Sequence, residues 1–561
     1  MSTFHEEFRF GSARWASPAE VARAGLHGPS GPFLGYLEGR PLRLPGDAPI
    51  ITFGGAGSGK LRDVLAYNLC GMRDSKGGGW HAPRRMLIND PRGELAAVSI
   101  GNQIRMGKVA YCINPFGLHG LPRHRVNPWN ILRQGSPTFH ADTKLLVADL
   151  IPLPTHGEDY FGRRARELAE ALVKTHVAGA LPSQSRDAIS LAVFYELVNL
   201  LESPSGWSAL SERMASMPDA DIRRVAEEME HKRKEAPKEY SGIVGSLYQA
   251  VESLSDPAIR ECLSGSDFSL EVLCQQDCNV YLVIPAEYLG MLAPIQRAIF
   301  GTAILYKNRH PSAPGVLLVV DEAAQLGNFE ALLRAYSYGR GMGLRVWSFW
   351  QDPGQITRNY GHAALSGFIG SSQCRQFFGI RDLDTARLVS SMLGQQTLLY
   401  AQPQKQDAAR LHMRQSLADV MQGGNPLAAG IGIAHAQRAM AHRDKQSRAL
   451  MTPDEALNIP EDEQALFISG LGLAPIRASK KPYFTCPEMA GGYLPNPYHP
   501  PLDRVRIAGR CGQKWARVIR ESVPSNLSHW PQHQDGTWSY VEGYRPPWKE
   551  LLSSLSATTA A

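Results

Sequence analysis

A β-rich run, Ile50-Ile-Thr-Phe53, breaks into Gly54-Gly55-Ala56-Gly57-Ser58-Gly59-Lys60, and apolar residues then recur at Leu61, Val64, Leu65 and Leu69. That spacing predicts a strand, a glycine-rich turn and an amphipathic helix. Two more apolar runs follow. Met86-Leu-Ile88 stops at Asn89-Asp90-Pro-Arg-Gly-Glu94, and Val109-Ala-Tyr-Cys-Ile113 stops at Asn114-Pro-Phe116. Strand patterns return at Val280–Ile284, Val316–Val320, Leu344–Phe349, Gln376–Phe378, Leu398–Tyr400 and Ala465–Ile468. The first two of these returning runs are unbroken apolar, which suits strands buried on both faces. Strands alternating with helices predict a parallel sheet that carries its binding loops at the strands' carboxyl ends.

Between these groups the period changes. From Thr143 to Ser269 apolar residues step at helical spacing: Ala165, Leu168 and Leu172; Ile189, Val193, Leu197 and Leu201; Ile243, Leu247 and Val251. No strand pattern interrupts them, so an all-α domain is expected as an insertion in an α/β domain. The expected division is an N-terminal segment 1–47, nucleotide-binding parts 48–142 and 270–494 around the helical insertion 143–269, and a tail 495–561. Ser17, Pro18 and Glu20 form a helix start, and Gly28–Gly35 reads as loop. Residues 402–446 are polar with Gly and Ala clusters, and are expected to be a long connection. The tail holds Trp515, Trp530, Trp538 and Trp548 among arginines and lysines. It is expected to pack on the main body, with base stacking the alternative.

Composition narrows the class. Apolar content of 43% and charged content of 20% describe a globular chain with a sizeable core. A net charge of +6 permits an anionic partner without demanding one. Eight cysteines are scattered along the chain, which argues for thiols in a reducing compartment. Cys274 and Cys278 lack a second pair at zinc-site spacing. The acidic start Met1–Glu7 has no apolar core of a signal peptide, and no apolar run reaches the ~18 residues of a membrane span. The expectation is a bacterial cytoplasmic chain, peripheral at the inner membrane through partners.

Chemistry enters at the turn. Glycines let successive N–H groups point at phosphate oxygens, the helix start adds its positive end, and Lys60 adds a mobile charge. The pattern is a P-loop for ATP, with Gly54 to Lys60 as its body. Leu61 stands where Ser or Thr would hold Mg²⁺, so weaker metal binding is expected. Val316-Leu-Leu-Val-Val-Asp321-Glu322 is a Walker B pattern. Asp321 would hold Mg²⁺, and Glu322 would orient and deprotonate the attacking water. Gln351 ends the Leu344–Phe349 run, where it can sense the γ-phosphate. Arg340 lies in a glycine-rich turn before that run, placed to reach a neighbouring subunit's nucleotide.

Together these motifs resemble the TraG-like coupling proteins of type IV secretion and conjugation. The likeness runs from Gly11-Ser-Ala-Arg-Trp15 through the P-loop, Asp90-Pro-Arg-Gly-Glu94, Asn114-Pro-Phe116 and Asn127-Pro-Trp129. It continues through Asp321-Glu322, Tyr338-Gly-Arg340, Gln351 and Arg448-Ala-Leu-Met-Thr-Pro-Asp-Glu455, ending near Tyr483. The resemblance implies a RecA-like domain with an all-α domain, assembled as a homo-hexamer on ATP or DNA. It implies an ATPase that passes single-stranded DNA, with a bound relaxase or another secreted protein, to a type IV secretion channel. By position, Lys60 contacts phosphates, Asp321 and Glu322 serve Mg²⁺ and water, Arg340 acts in trans and Gln351 senses nucleotide, with Asp90 and Glu94 near the site. Two features depart from the pattern: family members usually begin with transmembrane helices, which are not seen here, and the aromatic tail after about residue 494 falls outside the resemblance. The alternative function is a nucleotide-binding adaptor that hydrolyses little and docks protein substrates.

Overall fold

The structure is a computed structural model, and it describes residues 8–74, 79–155, 157–179, 189–400, 402–441, 443–509 and 512–546. The readings at Met1–Glu7 and Trp548, and Cys511 among the eight cysteines, lie outside the described residues. The chain divides into a larger unit (18–379, 460–473 and 477 onward) and a smaller one (up to Ser17, 380–459 and 474–476).

The larger unit is built on an eleven-stranded sheet. Seven strands are parallel, in the order Cys374–Phe378, Ile50–Gly54, Leu344–Trp350, Val316–Val320, Met86–Pro91, Cys278–Ile284 and Val109–Ile113. Ile50–Gly54, Val316–Val320 and Leu344–Trp350 are buried along their whole length, as unbroken apolar runs require. Beyond Cys374–Phe378 the sheet turns antiparallel, through Glu463–Ile468. Farther out, Phe33–Leu37 pairs antiparallel with Ile476–Ser479 and with Arg40–Arg43. Phe33–Leu37 overlaps the stretch that reads as loop. Its pattern is broken by Gly35, where a Cβ would overlap the Gln464 amide.

A buried polar chain ties these strands crosswise. Trp347 Nε1 donates to Thr52 Oγ1 at 2.8 Å, and Thr52 Oγ1 donates to Gln376 Oε1 at 2.8 Å. Gln376 Nε2 then reaches Gln464 Oε1 at 2.6 Å, and Gln464 Nε2 reaches the Leu34 carbonyl at 2.7 Å. Each donor is satisfied in a dry interior, where an unpaired one would cost about 1–3 kcal/mol.

Helices from Phe139–Leu150 to Val272–Gln275 connect the edge strand Val109–Ile113 to its neighbour Cys278–Ile284. Buried Arg297 clamps the first of them, donating to the carbonyls of Asp149 (2.6 Å), Leu150 (3.2 Å) and Leu326 (2.7 Å). The Asn-Pro motifs are scaffolding here. Asn114 Oδ1 accepts the Leu118 N–H at 2.9 Å, and Asn127 donates to the Ile189 carbonyl at 2.7 Å. Trp129, fully buried, stands against Phe194 with ring centroids 5.1 Å apart.

The aromatic tail folds as a three-stranded antiparallel sheet, Arg504–Gly509, Gly512–Ser522 and Thr537–Val541. Trp530 and Trp538 are buried with Ile104 and Leu527. Val505, Ile507 and Val541 join Phe33, Tyr67 and Cys486 in a second cluster. Gln532 does more than pack: its Oε1 accepts the Ala110 N–H at 3.0 Å and its Nε2 donates to the Lys108 carbonyl at 3.2 Å. One side chain thus stands in for a twelfth strand at the sheet's edge.

In the smaller unit, the ribbon Gln395–Tyr400 with Asp444–Ala449 carries two helices, Pro403–Met421 and Pro426–Ala441. The expected long connection is therefore a helical hairpin. Its alanines and glycines, which blur the helical period, are the residues that let the two helices approach. The segment around Gly11 lies along the ribbon, bridging Ser12 to Gln396. Thr452 and Glu455 form a capping box at Pro453–Leu457.

Two substitutions test the tail's role. Trp530→Ala should cost about 3–5 kcal/mol by truncating a buried aromatic. Gln532→Ala should cost about 1–3 kcal/mol by orphaning the Ala110 N–H. Both are read from urea unfolding of the full chain, and unchanged midpoints would mean that the tail folds apart from the sheet.

Candidate functional site

Three adjacent parallel strands deliver the polar groups to one edge. Ile50–Gly54 runs into the glycine loop, Val316–Val320 into Asp321-Glu322, and Leu344–Trp350 into Gln351, in matched register. Lys60 Nζ donates to Glu322 Oε1 at 2.8 Å and stands 3.8 Å from Asp321 Oδ1. Gln351 Nε2 donates to the other Glu322 oxygen, Oε2, at 3.2 Å. Glu322 itself has a left-handed backbone (φ 51°), unusual for a side chain of this size. The turn is held by its own N–H, which donates to Asp321 Oδ1 at 3.0 Å.

The electrostatics follow from burial. Burial opposes the charge on Lys60, but the Asp321 and Glu322 carboxylates outweigh it and hold the ammonium above its ordinary range. Burial lifts Asp321 to about 6, against the pull of Lys60. Asp90, fully buried, is lifted to about 8 although the N–H groups of Ala96 and Leu95 bond its carboxylate. Asp90 thus accepts the Leu95 and Ala96 N–H groups in the first turn of the Glu94–Ser99 helix, whose N-cap is Gly93 and whose first residue is Glu94.

The glycine loop has the shape of an anion cradle. Gly57 and Gly59 both have positive φ (72° and 83°), and a Cβ on Gly59 would overlap the Asp63 carboxylate. Gly55 N donates to the Gly379 carbonyl at 3.3 Å, fixing the loop's start. Gly54 packs against the Phe378 ring, and Ala56 and Gly57 are exposed at the crest. Ser58 tucks its side chain under the loop, against Gly54 and Gly379. Leu61 packs, partly buried, on the cluster of Phe33, Tyr36 and Tyr67. This site therefore offers a divalent cation one partly buried carboxylate, Asp321, and no hydroxyl from position 61. Such a donor set fits a hard cation that keeps waters and phosphate oxygens as its other ligands.

Lys480 was not singled out by the sequence pattern, yet it lies beneath the loop with a fully buried side chain. Its Nζ donates to the Ser58 carbonyl at 2.8 Å, stands 3.5 Å from Asp63 Oδ2, and lies 4.0 Å from the Phe378 ring centroid. Burial lowers its affinity for the proton and Asp63 opposes that. Asn89 is a second such residue: its Nδ2 donates to the Asp321 carbonyl at 2.8 Å and so fixes the turn that carries both acids. Only the strand-end position of Asn89 signals it in sequence.

Arg340 is not brought to this cluster. It sits before the Leu344–Trp350 strand, 69% exposed, its Nε 3.2 Å from Asp47 Oδ1. Seven residues of strand, about 20 Å at ~3.3 Å per residue, lie between that end and Gln351. Exposed Tyr338 and Met342 flank it.

The family described as "Type IV secretory system Conjugative DNA transfer" matches residues 46–420 and 435–497. The type IV secretion system-coupling protein VirD4 of Bartonella quintana (strain Toulouse) is 26% identical over 271 residues, 47% of this chain and 38% of that protein. The probable conjugal transfer protein TraG of Sinorhizobium fredii (strain NBRC 101917 / NGR234) is 26% identical over 339 residues, 59% of this chain and 47% of its own length. The matched stretch thus spans less than half of either relative. Among solved structures, the plasmid coupling protein TrwB with the non-hydrolysable ATP analogue ADPNP aligns with a TM-score of 0.58 at 17% identity, covering 85% of this chain and 97% of that one. TrwB with ADP and Mg²⁺ aligns at 0.55 and 16%, covering 84% and 94%. This likeness shows a shared fold: an α/β core with a large mixed sheet and a helical insertion.

Lys480→Met should leave Asp63 short of a buried partner and cost on the order of 3 kcal/mol. It should also weaken binding of a fluorescent ADP analogue, because the loop loses its floor. Stability lost with nucleotide affinity unchanged would make Lys480 a core residue only.

Proposed function

The chain belongs to the type IV secretory conjugative DNA-transfer family, and on that footing we propose that it is an ATP-hydrolysing coupling protein. In this reading it delivers single-stranded DNA with a bound relaxase, or another secreted protein, to a type IV secretion channel. The observation that carries the proposal is the convergence of Lys60, Asp321, Glu322 and Gln351 at the carboxyl ends of three adjacent strands, beside the glycine loop.

ATP would lie with its phosphates over Gly54–Gly59, and Lys60 would exchange its carboxylate partners for phosphate oxygens. That exchange releases Glu322, which Gln351 still orients. Glu322 then takes the proton of a water that attacks the γ-phosphorus, as the bond to the ADP oxygen breaks. Mg²⁺, when bound, would neutralise phosphate charge, and Asp321 is the residue to hold it. In the proposed hexameric ring Arg340 serves a neighbour's site, because about 20 Å of strand separates it from its own. The relatives named VirD4 and TraG and the nucleotide-bound TrwB structures support this reading. Among the described residues no helix is long and apolar enough to cross a membrane.

Steady-state ATPase activity, with and without single-stranded DNA, tests the proposal. Absence of turnover with nucleotide binding intact would leave the adaptor that only docks substrates. Lys60→Ala should abolish hydrolysis in a folded protein. Glu322→Gln should retain ATP and slow hydrolysis by on the order of 10²-fold or more. Arg340→Ala should bind ATP normally and lose on the order of 10³-fold in hydrolysis. Rings mixed from the Arg340→Ala and Glu322→Gln chains should regain activity where an intact pocket meets an intact arginine. Confirmed co-assembly without recovery would remove the trans assignment.

A further inference from the structure

The hairpin of the smaller unit is packed inside out. Its helices, Pro403–Met421 and Pro426–Ala441, bury Ala409, Ser416, Ala429 and Ala436 between them. Gly432 approaches so closely that a Cβ there would lie 2.8 Å from Ser416 Oγ. The large apolar residues face outward instead: Leu411, Leu417, Val420, Met421 (91% exposed), Leu427 (76%) and Ile431 (55%). A hairpin made for water alone would invert this arrangement. Small residues inside and large ones outside are how helices pair in an apolar surrounding.

The large residues gather at one end. Val420 and Met421 finish the first helix, and Leu427 and Ile431 begin the second, across the turn Gln422–Asn425. The stretch Pro426-Leu-Ala-Ala-Gly-Ile-Gly-Ile-Ala434 contains no polar side chain, and the whole second helix contains no Asp or Glu. Basic residues stand behind the tip. Arg414 is about 10 Å and Arg438 about 16 Å back along their helices, at ~1.5 Å per residue, with Arg410 farther on. Of the hairpin's two carboxylates, Asp407 stands 3.4 Å from Arg410, and Asp419 is the one near the tip.

We propose that this hairpin docks the chain directly on an anionic lipid surface, its tip entering the headgroup layer and its arginines meeting lipid phosphates. An apolar helix face typically sinks ~5–10 Å at the interface, which carries Leu427 and Ile431 below the headgroups and leaves the arginines level with them. A protein partner is matched by a polar rim around an apolar centre; Pro426–Ala434 offers no polar side chain, and the tip's polar groups are confined to Asp419 and the turn's Gln422 and Asn425. Anionic lipid needs none and attracts the bases. No described helix spans a bilayer, so the contact is interfacial.

Flotation of the full chain with vesicles tests this. The chain should float with phosphatidylcholine vesicles containing phosphatidylglycerol, poorly with phosphatidylcholine alone, and less as salt rises. The double variant Leu427→Asp, Ile431→Asp should lose partitioning by on the order of tenfold or more, with an unchanged thermal melt because both residues are exposed. Arg410→Glu with Arg414→Glu should abolish the preference for anionic vesicles. Lys60→Ala should float like the unaltered chain, which separates this inference from the nucleotide reading. Failure to float, or flotation indifferent to the tip variant, would overturn the proposal. So would an oligomer that the tip variant dissociates without lipid, since a second copy would then cover the tip.

Discussion

A parallel sheet buried on both faces leaves its charged side chains few places to go. In this chain those that build the site go to the carboxyl-end loops, while Arg345, inside its strand, is held by the Leu44 and Pro45 carbonyls. Ile50–Gly54, Val316–Val320 and Leu344–Trp350 carry no exposed residue, so the groups open to a ligand begin where each strand stops. Because the strands are adjacent and in register, Lys60, Asp321, Glu322 and Gln351 meet without any long side-chain reach. The same rule puts Arg340 at the far end of its strand. What the sheet joins and what it separates are set by one constraint.

The site is braced from beneath as well as assembled from above. Lys480 and Asp63 form a buried pair under the glycine loop, and Asn89 holds the main chain that carries the acids. Their free energy goes into fixing geometry: a dry ion pair gains little net stability, yet losing one partner is costly. The crosswise amide chain from Trp347 to Leu34 does similar service in the sheet, where a register slip would orphan every member.

Local signals in the sequence point to the elements around the loop with good reason. Glycines needing positive φ, an apolar run ending in two acids and a strand ending in Gln351 each advertise themselves within a few residues. Lys480 could not, because it lies 422 residues from the carbonyl it binds. Phe33–Leu37 escaped because Gly35 interrupts its pattern. The hairpin escaped because apolar periodicity presumes that large residues face inward, and here they face out. Asn114 and Asn127 carry the family likeness in sequence, and in the fold their side chains accept the N–H groups of Leu118 and Trp129.

The bond from Ala110 to Gln532 joins residues 422 positions apart. The edge forms only once Cys278–Ile284 has been made to pair with Val109–Ile113, and at ~5–20 residues per second it then stays open for about 12–50 s before Gln532 is made. For that interval the nascent chain presents unpaired N–H and C=O groups to every other chain being made nearby. An edge that the finished fold closes with one side chain is thus a liability confined to the growing chain.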